Sequence, residues 1–295
     1  MAAGTCEQPR HLESMPAFPS MESDVRAREP QPTAAARRSL VLAAAVIIAF
    51  ALINNVRFAF YRVPWYLQIA RASQPVGVTI WKFAQVPLVV IAVMAVHRAR
   101  LRVALEELGL RHNVTRSLTT ALVATLPALV LVAVTTRGLA PLDAPTLIKT
   151  AAGSAVAEEL LYRGFLFRQL HRRARWPFWL AALTTALPFA AGHLYQREGR
   201  GLAGFGEVML VMGVASIFLA WVFVSWDDNT WLLIGIHGFA NLWWALFVGD
   251  DTAKMYGWLT YAFMIALLLP LVWLTVRARN RGRPPDVRRD TALAR

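Results

Sequence analysis

Continuous apolar runs of near-membrane length constrain this chain more than any other feature. A helix rises 1.5 Å per residue, so about 20 apolar residues cross a hydrocarbon core of about 30 Å. Eight such runs occur, with soft edges, at about 39–56, 76–97, 118–136, 146–170, 177–195, 205–225, 231–249 and 255–276. They are continuous rather than alternating, which argues against a β-barrel. Hydrophobic residues make up 57% of the 295 and charged residues 17%, unlike a soluble enzyme or a disordered chain. The expected fold class is all-α, a polytopic helical membrane protein with about eight transmembrane helices.

The sequence divides around these runs. Residues 1–38 are rich in Pro, Ser, Ala and mixed charge and read as a disordered cytoplasmic N-terminal tail. Residues 39–145 are expected to form N-terminal transmembrane helices, 146–249 a functional core, 250–276 a last transmembrane helix, and 277–295 a basic cytoplasmic C-terminal tail. The first run starts at Leu40 behind Arg37-Arg38 and reads as a signal anchor. The lone cysteine, Cys6, excludes an intrachain disulfide and a thiolate metal cluster.

The formal net charge is +13, and only Lys82, Lys149 and Lys254 are lysines among 31 basic residues. This charge suits topology and anionic lipid better than nucleic acid, so membrane lipid is an expected partner and nucleic acid is not. Arg37-Arg38, Arg98/Arg100/Arg102/Arg111, Arg168/Arg172/Arg173/Arg175 and the tail Arg277–Arg289 fall on one side of an eight-span arrangement. By the positive-inside rule that side is the cytoplasm, which places both termini there. No convincing internal repeat is visible, and this weighs against a repeat-built transporter.

Against the apolar background, a few ionisable residues stand out. The fourth run carries Glu158, Glu159 and Arg163, the fifth His193, the sixth Glu207, and the seventh His237 with Asn241. Such groups are costly inside a membrane unless paired or facing a cavity. Glu159 and Arg163 are four apart and can form an ion pair. Glu158 is turned about 100° away and stays available for a cavity. His237 and Asn241 also share a face. Glu158 precedes Arg175 by 17 residues and His193 follows it by 18, so a hairpin turning there sets both at one depth. His237 lies only nine residues after Asp228, so that turn must sit roughly 12 Å deeper than the hairpin tip.

A carboxylate beside an imidazole can bind and deprotonate water. An Asn amide with a second imidazole can donate hydrogen bonds to a developing oxyanion. Without an evident Ser or Cys nucleophile, these are parts for direct hydrolysis of a peptide bond. Two Glu and two His are also possible zinc ligands, so zinc is the alternative to a site without cofactor.

These residues carry a family resemblance. Glu158-Glu159-Leu160-Leu161-Tyr162-Arg163 matches the EExxxR motif of the CaaX protease and bacteriocin-processing (CPBP or Abi) family. Phe189-Ala190-Ala191-Gly192-His193 matches its FxxxH motif, and His237-Gly238-Phe239-Ala240-Asn241 its HxxxN motif. The resemblance covers roughly residues 146–249. It implies an intramembrane glutamate-dependent endopeptidase like the type II CaaX prenyl endopeptidases, acting on a membrane-anchored or peptide substrate. It also implies roles: Glu158 and His193 activate water, His237 and Asn241 stabilise the oxyanion, and Glu159 and Arg163 support the site. The alternatives are a non-catalytic membrane scaffold on the same fold, or a small-molecule transporter.

Overall fold

The computed structural model describes residues 33–249 and 257–280. Most of the expected N-terminal tail, Cys6, Lys254 and residues 281–295 lie outside these. The described part is helical, with no strand among the described residues. In chain order it runs α1 (Ala34–Asn54), α2 (Arg57–Phe60), α3 (Pro64–Ala72), α4 (Gln74–His97), α5 (Leu101–Glu107) and α6 (Val114–Thr136). There follow α7 (Ala144–Leu147), α8 (Ser154–Glu158), α9 (Phe178–Ala191), α10 (Gly201–Ser225), α11 (Thr230–Phe247) and α12 (Trp258–Asn280).

Six stretches among the described residues are long and apolar enough to cross a membrane: Ala34–Phe60, Gln74–His97, Val114–Thr136, Gly201–Ser225, Thr230–Phe247 and Trp258–Asn280. Only 22–44% of each most apolar window is buried within the protein. The remainder is outward-facing apolar surface, as a lipid-embedded bundle requires. The chain is therefore a multi-pass membrane protein, with six clear crossings where the sequence suggests eight.

The other two expected crossings have physical reasons to differ. The fourth run is a continuous right-handed helix from α7 through Arg173, but it carries Lys149, Glu158, Glu159 and Arg163 and is too polar to read as a simple span. Its backbone widens into π-helical turns at Ile148–Gly153, Glu159–Phe167 and Gln169–Arg173. Such turns recur where a helix must re-aim side chains at a functional site. The fifth run gives only a 14-residue helix, α9, which stops at Ala191. Pro188 removes one backbone donor in its last turn, and a short 3₁₀ turn, Leu194–Arg197, follows.

Local chemistry sets the helix starts. Asn113, Asp143 and Asn229 each accept a backbone N–H two or three residues into α6, α7 and α11. The loop after α5 is fixed by Gly109, whose φ is +72° and whose added Cβ would lie 2.0 Å from the Asp228 carbonyl oxygen. Only glycine fits both demands. The loop then bonds to the start of α11: Thr230 N–H donates to Gly109 O, and Thr230 Oγ1 to Leu108 O.

The basic end of the α8–α9 hairpin is not an open charged loop. Glu107, almost wholly buried, accepts from Arg168 and Arg173, while Asp228 accepts from Arg168 and Arg172. Burial alone pushes the Glu107 carboxyl up, but the Arg168 and Arg173 guanidiniums outweigh it and hold it below its ordinary value. These arginines thus clamp α5 and the α10–α11 turn to the hairpin. Asp228 thus meets two arginines of the hairpin, seven and three residues before Arg175.

Candidate active site

The site assembles at the middle of the polar helix. Glu159 and Arg163 are fully buried, and Arg163 Nη1 donates to Glu159 Oε1 at 2.9 Å. The same Oε1 accepts from His237 Nδ1 at 2.6 Å. A carboxylate oxygen only accepts, so His237 carries a proton on Nδ1. Arg163, Glu159 and His237 thus form one chain, backed by the Phe189 ring 4.5 Å from the guanidinium carbon.

The helix turn sends Glu158 elsewhere. Its Oε2 lies 3.9 Å from His237 Nε2 and has no hydrogen-bond partner among the described residues. Its Oε1 accepts from Lys82 Nζ on α4. Glu158 faces a cavity, as the sequence expects, and its counter-ion comes from another helix. Lys82 escaped the sequence reading because it sits singly in an otherwise apolar run. The available signal was that it is the only charged residue of that run.

His193 is placed by the early end of α9. Its Nδ1 lies 2.7 Å from the Phe189 carbonyl oxygen, one of the acceptors that a helix end leaves without a backbone partner. A carbonyl cannot donate, so Nδ1 carries a proton, and in the neutral ring the lone pair is on Nε2. The ring also tilts against Phe189 with centroids 4.7 Å apart. In the FxxxH segment, the aromatic packs the imidazole and its backbone fixes the tautomer.

Asn241 Nδ2 donates to Thr150 O at 2.9 Å, which holds the amide against the polar helix. The close approach depends on Gly238, where an added Cβ would lie 2.9 Å from Ala151 O. Glu207, by contrast, stands apart: it accepts from Arg197 and Tyr261 and ties α10 to α12.

Two cavities meet at these residues. One, of about 250 Å³, is mainly apolar and opens among α10, α11 and α12, with Met212, Phe218, Phe263 and Leu267 in its wall. The other, of about 440 Å³, is polar and reaches Asn54, Arg57 and Lys82. Glu158, His193, Phe189 and Ser154 line both. His237 and Asn241 line the apolar one. The shared lining brings Glu158 and His193 to one place in the fold, as the equal-depth count expects.

Among the described residues, no three His, Cys, Asp or Glu side chains are arranged to hold a metal ion. Glu159 and His237 already bind each other, and Glu158 binds Lys82.

No curated protein and no solved structure matches the chain. Residues 140–243 match a family model, Rce1-like, described as type II CAAX prenyl endopeptidase Rce1-like. The matched stretch contains all seven motif residues, from Glu158 to Asn241. By this match, the part of the chain that carries the site is similar to the type II CaaX prenyl endopeptidases, the family type that its three motifs resemble.

Proposed function

We propose that this protein is an intramembrane endopeptidase that hydrolyses a peptide bond of a CaaX-type or related membrane-anchored substrate with an activated water. The observation that carries this reading is the meeting of Glu158 and His193 where the two cavities join, with His237 3.9 Å from Glu158. A water about 2.8 Å from both Glu158 Oε2 and His237 Nε2 subtends roughly a right angle there, ordinary hydrogen-bond geometry. Glu158, with the His193 Nε2 lone pair beside it, accepts one proton from that water as its oxygen attacks the carbonyl carbon. The second Asn241 amide N–H and a protonated His237 Nε2–H donate to the oxyanion. Collapse of the tetrahedral intermediate breaks the C–N bond, and the leaving amine takes its proton from the Glu158–His193 pair.

Glu159 and Arg163 act by orienting His237, much as a buried carboxylate orients an imidazole in other hydrolases. The reading is metal-free and places both termini in the cytoplasm. Glu158→Gln and His193→Ala are expected to abolish cleavage of a prenylated CaaX peptide while the protein still inserts in the membrane. Retained cleavage by both variants refutes the assignment. Chelation should leave the purified enzyme active; a lasting loss restored by zinc refutes the metal-free form.

A further inference from the structure

Lys82 lies outside the matched segment and outside the three motifs, yet its ammonium meets the carboxylate at the centre of the site. It projects from α4, is 13% exposed, and sits 5.0 Å from the Trp81 ring centroid. Glu158 is equally enclosed, at 10%. A carboxylate taken out of water without a partner loses its charge by taking up a proton. The Arg163 guanidinium pairs with Glu159 rather than Glu158.

The two oxygens of Glu158 are then divided between two tasks. Oε1 accepts from Lys82, while Oε2 faces His237 Nε2 and has no partner among the described residues. A partner on one oxygen both keeps the charge and fixes the carboxylate plane, so that the second oxygen is held toward the imidazole. We infer that Lys82 is a positioning residue for hydrolysis: its ion pair with Glu158 Oε1 keeps Glu158 a carboxylate and presents Oε2 to the reacting water. The hydrolytic role rests on the proposed function, whereas the ion pair itself does not.

The test uses the full-length protein in detergent micelles, with a quenched fluorescent prenylated CaaX peptide as the probe. Lys82→Met keeps the length of the side chain and removes the charge; Lys82→Arg keeps the charge. For Lys82→Met, kcat should fall by about 100-fold or more, the scale of a general base, with KM changed by less than about threefold. Lys82→Arg should return kcat to within about tenfold of the wild type. A Lys82→Met kcat within about threefold of the wild type overturns the inference, as does equal loss in both variants.

Infrared spectroscopy gives a readout that needs neither turnover nor a folded Met variant. The band lost from the wild type on Glu158→Gln substitution at neutral pH should be that of a carboxylate. A carboxylic-acid band overturns the inference. A wild-type protein inactive on the probe counts against the proposed function, and the infrared result still decides the state of Glu158.

Discussion

The Arg163–Glu159 pair offers the sharpest energetic test, because both side chains are fully buried with 2.9 Å between donor and acceptor. Taking about 4 Å between charge centres and an effective dielectric near 20, their attraction is about 4 kcal/mol. Glu159→Gln keeps the shape and an acceptor for Arg163 Nη1 but leaves a buried guanidinium uncompensated. The expected loss is about 3 kcal/mol, at the lower end of the range for breaking a buried pair, since the Phe189 ring still faces the cation. Arg163→Met leaves Glu159 with only His237 and should cost about as much. The double variant removes both charges and should cost at least about 2 kcal/mol less than the sum of the singles. The assay is reversible unfolding of the purified protein in mixed micelles, run as a double-mutant cycle. Single losses below about 1 kcal/mol, or losses additive to within about 0.5 kcal/mol, refute the reasoning.

The remaining predictions concern the clamp at the basic end. The Glu107 carboxyl is held below its ordinary value, so its contribution is complete above that value, near 4.5, and is lost as pH falls through the lower folded value. Melting midpoints against pH should therefore drop on the acid side, and Glu107→Gln should flatten that drop while lowering the midpoint at neutral pH. Gly109→Ala must place a Cβ 2.0 Å from the Asp228 carbonyl oxygen at a φ of +72°, and should destabilise by more than about 2 kcal/mol, read by denaturation at neutral pH. Gly238→Ala should push α11 off the polar helix through Ala151 O; activity should fall more steeply than thermal stability, because His237 and Asn241 flank that residue.

Residue spacing carried the site where the geometry was local to one helix. The i, i+4 pairing of Glu159 with Arg163 is local to one helix and persists where that helix widens into π turns. The depth count through the hairpin agrees with Glu158 and His193 lining the same two cavities. What spacing left unread is contact between helices. Nothing in a linear pattern says that α4 lies against α8, so Lys82 looked like one charge in an apolar run rather than the counter-ion of Glu158. The same blindness affected the arginines of the hairpin. Their sign alone suits topology and lipid, and Glu107 and Asp228, 61 and 60 residues from Arg168, turn three of them into a buried clamp. His193 shows a third kind of limit. Its run reads as a full span, yet the helix ends at Ala191 and the imidazole takes the orphan carbonyl of Phe189. A full-length helix would have given that carbonyl a backbone N–H and left Nδ1 without its partner. The shortness of α9 is therefore what sets the tautomer, and in the proposed mechanism the apparent defect in the fifth span is what readies His193 as a base.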